Sequence, residues 1–408
     1  MGMSASVSKV GSMIQNFGKR GAGMTKVDKL HDLILSHGFL IDPACGIEEK
    51  KDVAFKDGRV SAIADHIEAS LAKEVVDISD KIVTPGLIDL HGHYDQAAML
   101  MAVDPDSSAL PNGVTTGVDA GSVGFANYRG LEMVMERSIV DVYSFLHIGA
   151  VGLSLLVALG GELQDPRLIN VEKVVEHIRA HKDRILGIKI RMDAGAMASW
   201  EARNCLAKAV EAARQAGVRL MVHISRTPIP LPEILDVLDA GDIVTHIYNG
   251  HPENILNVLW GIRAEVTAAR DKGVIMDVGD AHTNNMVAKH SINQGFTPDT
   301  ISTDYVEIPS SPERRVAHMP ELISKFHAMG LSLPQAIEAS TYTPSKVLGK
   351  ESEIGSLAVG MSGDAAVFDL ESGSYSFIDG LGNYSSVTGD KMLTSAITIK
   401  SGNIVWAK

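Results

Sequence analysis

The chain has 408 residues, 45% hydrophobic and 21% charged, with 38 glycines dispersed along it and a formal net charge of −13. That length accommodates a barrel of about 250 residues beside a smaller unit, and the composition excludes a disordered or fibrous chain. An acid excess without a basic stripe excludes a general nucleic-acid binder.

Residues 1–27 read as a leader or disordered extension, since the first 24 carry Lys9, Lys19 and Arg20 but no acid. From 28 to 83 the runs DLILSHGFLI, DVAFKDGRVSAIA and KEVVDISDKIV alternate as strands do, with Asp57-Gly58 as a hairpin turn. Residues 353–408 repeat the pattern in AAVFDL, SYSFIDG and SAITIKSGNIVWA. Neither end alone offers enough apolar face to bury, so the two are expected to pair into one small β-sandwich domain.

Between them, from 84 to 352, strand-like and helical runs alternate, the signature of an α/β fold with a parallel sheet. Eight strands are predicted: TPGLIDLHGH, GVTTGVDAG, DVYSFLHIG, LGIKIRM, RLMVHIS, DIVTHIYNG, GVIMDVGDA and DTISTDY. WEARNCLAKAVEAARQAG and NILNVLWGIRAEVTAARDKG have helical periodicity, each closing at glycine. Eight such units predict a closed (β/α)8 TIM-type barrel, whose active site lies where the strands end. The longest apolar run, Leu146 to Gly161, is broken by His147 and glycines and falls short of the roughly 20 residues of a membrane span. Cys45 and Cys205 are too few for a disulfide framework or thiolate metal site and point to the reducing cytoplasm.

Residues two apart on a strand share a face, so His91 and His93 project together into the barrel. His223 closes the fifth strand, His246 the sixth and Asp304 the eighth, so four imidazoles and a carboxylate converge at strand ends. Core packing does not require such a set, whereas metal ligation does. Lys189, inside the fourth strand, is costly to bury as an ammonium. It either pairs with Asp304 or another acid, or reacts with CO2 to become an anionic carboxylated lysine that bridges two cations sharing a hydroxide nucleophile. Arg191, two residues on, either pairs with a substrate carboxylate or makes a structural salt bridge. Ser122, Arg226, His251 and His282 lie on loops at the same end and are further substrate-binding candidates. His31, His66 and His327 are read as surface residues.

This ordered set, His-x-His, Lys, His, His, Asp, resembles the amidohydrolase superfamily, which includes dihydroorotase, hydantoinase, urease and phosphotriesterase. TPGLIDLHGH and IGSLAVGMSGDAAVFDL agree with it, and TTGVDAGSVGFANYRG, GDIVTHIYNG and PDTISTD resemble a bacterial dihydroorotase-like amidohydrolase/deacetylase subgroup. DVGDAHTNNM and Tyr305-Val306 depart from that subgroup, so the resemblance carries the metal centre further than the substrate pocket. It implies two divalent metal ions, with zinc suiting the ligand types: one on His91, His93 and Asp304, the other on His223 and His246, bridged by carboxylated Lys189. Asp304 is then the general base and acid. The implied activity is hydrolysis of an acyl ester or amide in a small carboxylate-bearing substrate, an acylated hydroxy acid or N-acyl amino acid. Cyclic-amide hydrolysis of the dihydroorotase or hydantoinase kind is the alternative, and a non-catalytic assembly protein the weaker third. The expected partner is a small molecule, in a monomer or homo-oligomer, without nucleic acid or membrane.

Overall fold

The computed structural model describes residues 29–156, 160–307, 316–380 and 385–408, and the expected leader lies outside them. Strands from both chain ends form one hydrogen-bonded sheet: β1 (His31–Asp42), β2 (Ile47–Lys56), β3 (Arg59–Ala64), β4 (Ala72–Asp77), β5 (Ile82–Pro85), then β13 (Ala365–Ile378), β14 (Ser386–Lys400) and β15 (Asn403–Ala407). The order is β15-β14-β13-β5-β1-β2-β3 with β4 alongside β1, a single sheet path where a two-sheet sandwich was expected. The pairing of the two ends is direct: β5 lies antiparallel to β13, Val83 opposite Val367. Leu33, Leu35, Val53, Phe55, Val83 and Val367 interlock on the buried face, the alternate positions of their strands. His31, read as a surface residue, is 5% exposed, because β1 is an inner strand and its imidazole turns to Ser61.

TPGLIDLHGH is two strands, divided at Gly86, where a side chain would strike Thr115. β5 joins the end sheet, while β6 (Leu87–Gly92) opens a second sheet with β7 (Val114–Ala120), β8 (Asp141–His147), β9 (Ile185–Met192), β10 (Arg219–Ile224), β11 (Ile243–Thr245) and β12 (Ile275–Asp277). All of its pairings are parallel and strictly sequential. Residues 300–305 touch both of its edges, with bridges Asp277 to Thr300 and Gly92 to Tyr305, so the sheet curls into a TIM-type barrel. The eighth segment is not a regular strand. Beside its backbone bonds, such as Val278 N–H to the Thr300 carbonyl, Asp89 and Asp277 tie it down through side chains: Asp89 accepts the Thr303 N–H, and the Thr300, Ser302 and Thr303 hydroxyls donate to these two carboxylates.

Helix 202–216 buries Ala202, Cys205, Leu206, Ala209, Ala212 and Ala213, one face of a 3.6-residue period, and ends at Gly217 in the left-handed region (φ 68°). The second expected helix is shorter than its pattern and spans only Ala264–Lys272. Before it, Asn254 accepts the Leu256 N–H and Asn257 those of Leu259 and Gly261, local bonds that compete with helix formation. The tip they hold leaves Val258 95% exposed. Among the described residues, no helix is long and apolar enough to cross a membrane.

Candidate metal centre

The barrel brings the six predicted residues to one end. His91 and His93 leave the end of β6, both buried, with ring centroids 5.7 Å apart. Asp304 closes on them: its Oδ1 is 3.4 Å from His91 Nε2 and 3.1 Å from His93 Nε2. Its backbone N–H donates to the His91 carbonyl, which fixes the eighth segment against β6. His223, on β10, and His246, just beyond β11, face each other with centroids 4.2 Å apart. The third member of that group is His282, in the turn after β12, 4.6 Å from His246 and 4.9 Å from His223. Two candidate donor groups result, His91/His93/Asp304 and His223/His246/His282. Asp304 faces both, since its Oδ2 is 3.9 Å from His246 Nε2 and from His282 Nε2. His246 and Asp304 hold positive φ angles of 67° and 54°, a strained backbone of the kind found at functional sites.

Lys189 is 1% exposed, and its Nζ lies 2.9 Å from His91 Nε2. Burial pushes its amine down to about 7, against the ordinary 10.5, so much of it is neutral at neutral pH, the form that reacts with CO2. Burial likewise lowers His91, His223 and His246 and keeps them as neutral imidazoles, the ligating form. Burial opposes ionisation of Asp304, yet His91, His93 and His246 around it hold its carboxyl well below the usual range. The donors fit divalent cations on one further observation: Nε2 of His223 and Nε2 of His246 are buried without any hydrogen-bond partner. A buried polar atom without a partner is costly, and a cation between these rings removes that cost.

Beside the two groups is a cavity of about 80 Å³, walled by Met99, Met101, Leu153, Leu156 and Val306. Arg191 and His282 line it; Ser122, Arg226 and His251 do not. Ser122 Oγ stands 2.9 Å from His93 Nδ1, behind the ring. Arg226 is ion-paired to Asp193 at 2.9 Å, and His251 sits half-buried on the loop after β11. Arg191 donates from Nη1 to both oxygens of Glu162 at 3.1 and 3.2 Å. Glu162 is buried, and despite burial Arg191 and His147 keep it below the usual carboxyl range. Sequence reasoning passed over Glu162 and His147. His147 ends β8, much as His223 lies one residue from the end of β10, which was a usable signal; nothing local marks Glu162.

A parallel barrel with two histidine-rich donor groups and a buried lysine at its C-terminal mouth is the arrangement of a barrel enzyme whose site is suited to metal ions. The model of the amidohydrolase family matches residues 82–405. A deacetylase of Brucella anthropi is 31% identical over 334 residues, covering 81% of this chain and 82% of that protein. A deacetylase of Agrobacterium fabrum is 30% identical over 81% of this chain and 80% of its own length. A crystal structure of an adenine deaminase superposes with a TM-score of 0.83 at 26% identity, over 93% of this chain and 100% of that one. The chain belongs to the amidohydrolase family, and it is an enzyme, a hydrolase.

Proposed function

We propose that this hydrolase cleaves an acyl ester or amide bond in a small carboxylate-bearing substrate, an acylated hydroxy acid or N-acyl amino acid. The observation that carries this reading is the opposition of His91/His93/Asp304 to His223/His246 with buried Lys189 against His91. Relatives named deacetylase support the acyl bond. His91, His93 and Asp304 would hold one divalent metal ion and His223 and His246 the other, zinc suiting the nitrogen and carboxylate donors, and Lys189, once carboxylated, would supply an anionic ligand to them. When bound, the pair supplies Lewis acidity, acidifying a water and polarising the scissile carbonyl. The barrel that opens at β6 is the catalytic unit, and the sheet built from both chain ends accompanies it.

The chain's own side chains do the rest. Asp304, ionised and shared between both groups, takes the proton of the attacking water and returns it to the leaving oxygen or nitrogen. Arg191 donates to Glu162 from Nη1 alone, so Nη2 and Nε are available at the cavity wall to bind the substrate carboxylate. His282, with 31% of its side chain exposed beside the fully buried His246, meets the substrate over the second group. Met99, Met101 and Leu156 exclude bulk water from the reacting carbonyl.

The test is a screen of zinc- or manganese-loaded protein, with bicarbonate, against acylated hydroxy acids, N-acyl amino acids, hydantoins and dihydroorotate. Turnover confined to the first two classes supports the proposal. Turnover confined to the cyclic amides replaces it, and a protein that takes up neither metal is left with the assembly reading.

A further inference from the structure

Asp277 ends β12 with no exposed surface, and three hydroxyls donate to it. Thr245 Oγ1 reaches Oδ2 at 2.7 Å, Thr300 Oγ1 reaches Oδ1 at 2.6 Å, and Ser302 Oγ lies 2.8 and 2.9 Å from the two oxygens. A carboxylate only accepts, and a hydroxyl has one proton, so each of these hydroxyls can act only as an acceptor toward anything else.

Two chains of consequence leave this carboxylate. Thr245 Oγ1 lies 3.0 Å from His91 Nδ1 and must accept there, so the ring proton of His91 sits on Nδ1. The bare Nε2 is then turned to Lys189 Nζ at 2.9 Å and Asp304 at 3.4 Å. Ser302 Oγ in turn accepts the Gly279 N–H at 3.0 Å, which holds Gly279 in place, and the Gly279 carbonyl accepts from His246 Nδ1 at 2.8 Å. The bare nitrogen of His246 is thus Nε2, the one buried without a partner. Gly279 has φ 53°, and a Cβ there would lie 2.4 Å from His246 Nδ1 and 2.5 Å from Thr245 Oγ1, so the junction of the two chains admits no side chain.

From this geometry we infer that Asp277 is a positioning residue common to both donor groups: through Thr245 it sets the ring tautomer of His91, and through Ser302 it holds Gly279, whose carbonyl fixes that of His246. The consequence for metal rests on the function proposed above, but the tautomers are readable without metal. The carboxamide of Asp277→Asn can donate, which releases Thr245 to turn its proton onto His91 Nδ1; His91 Nε2 then carries the hydrogen and cannot ligate.

The experiment is nitrogen NMR of histidine-labelled, metal-free protein at about pH 8, above the ordinary imidazole range, with zinc affinity measured by equilibrium dialysis. Native protein shows His91 and His246 protonated on Nδ1. Asp277→Asn moves His91 to the Nε2–H form and weakens zinc binding by about 10- to 100-fold. Thr245→Val, which keeps the volume but not the acceptor, weakens zinc binding, and Thr245→Ser restores it; this pair decides the matter if the Asp277→Asn protein does not fold. Native His91 protonated on Nε2, or native zinc affinity in Thr245→Val, overturns the inference. Native tautomers as stated in a protein that binds no zinc leave the positioning role standing and remove the proposed metal chemistry.

Discussion

Nζ of Lys189 lies 2.9 Å from Nε2 of His91, two nitrogens buried together in the barrel mouth and both held toward their neutral forms by desolvation. One must donate to the other's lone pair, and a neutral Lys189 amine donating to His91 Nε2 satisfies both. If the amine becomes an anionic ligand between two cations, Lys189→Ala loses bound metal and turnover together, each by about 100-fold or more. Metal analysis and rates on the same preparation check this; a native rate in Lys189→Ala removes the bridging role.

The same lysine sets a pH dependence in the metal-free protein. Its folded value of about 7 lies below the ordinary 10.5, so between these the unfolded chain binds more protons than the native one. The contribution of Lys189 to stability therefore rises as pH climbs from about 7 toward 10.5, and below 7 its full burial penalty applies. Lys189→Met removes that rise, measured as the denaturant midpoint against pH. An unchanged slope in this protein would mean that another group sets it.

Arg191 and Glu162 form a pair in which Arg191 is 13% and Glu162 0% exposed at the side chain. Arg191→Met is expected to raise KM for a carboxylate-bearing substrate by about 10- to 100-fold and to change little for an uncharged ester analogue. Equal losses on both substrates would reduce Arg191 to a partner for Glu162. Glu162→Gln leaves the guanidinium without its counter-ion and is expected to destabilise the fold by about 3 kcal/mol, read by chemical denaturation.

Lys325 reaches Asp280 at 2.7 Å, both buried, and ties helix Met319–Met329 to the turn that carries His282. Lys325→Met strands the Asp280 carboxylate and costs about 3–5 kcal/mol. Because the turn is then released, kcat is expected to fall while zinc uptake at the proposed His91, His93 and Asp304 group stays. Loss of that zinc as well would show that the turn supports the whole centre.

Much of the centre was legible along the chain because the barrel's geometry is simple. Strand side chains alternate, strand ends share one mouth, and so polar residues closing apolar runs, His91, His223 and Asp304 among them, are bound to meet. Lys189 stood out because a lysine inside LGIKIRM contradicts its surroundings.

What the order of residues could not reveal depends on contacts between distant segments. Helical spacing in NILNVLWGIR gave way to side-chain bonds from Asn254 and Asn257. The eighth barrel position is held by carboxylates of β6 and β12 together with scattered backbone bonds, without a regular strand. His282 joined His223 and His246 because Gly279 turns the chain through a left-handed conformation, and Asp277 became a hub because Thr245, Thr300 and Ser302 fold onto it. Periodicity and residue chemistry are local and survive in a string of letters. Which buried donor finds which acceptor is settled only when the barrel closes and every desolvated polar group must find its partner.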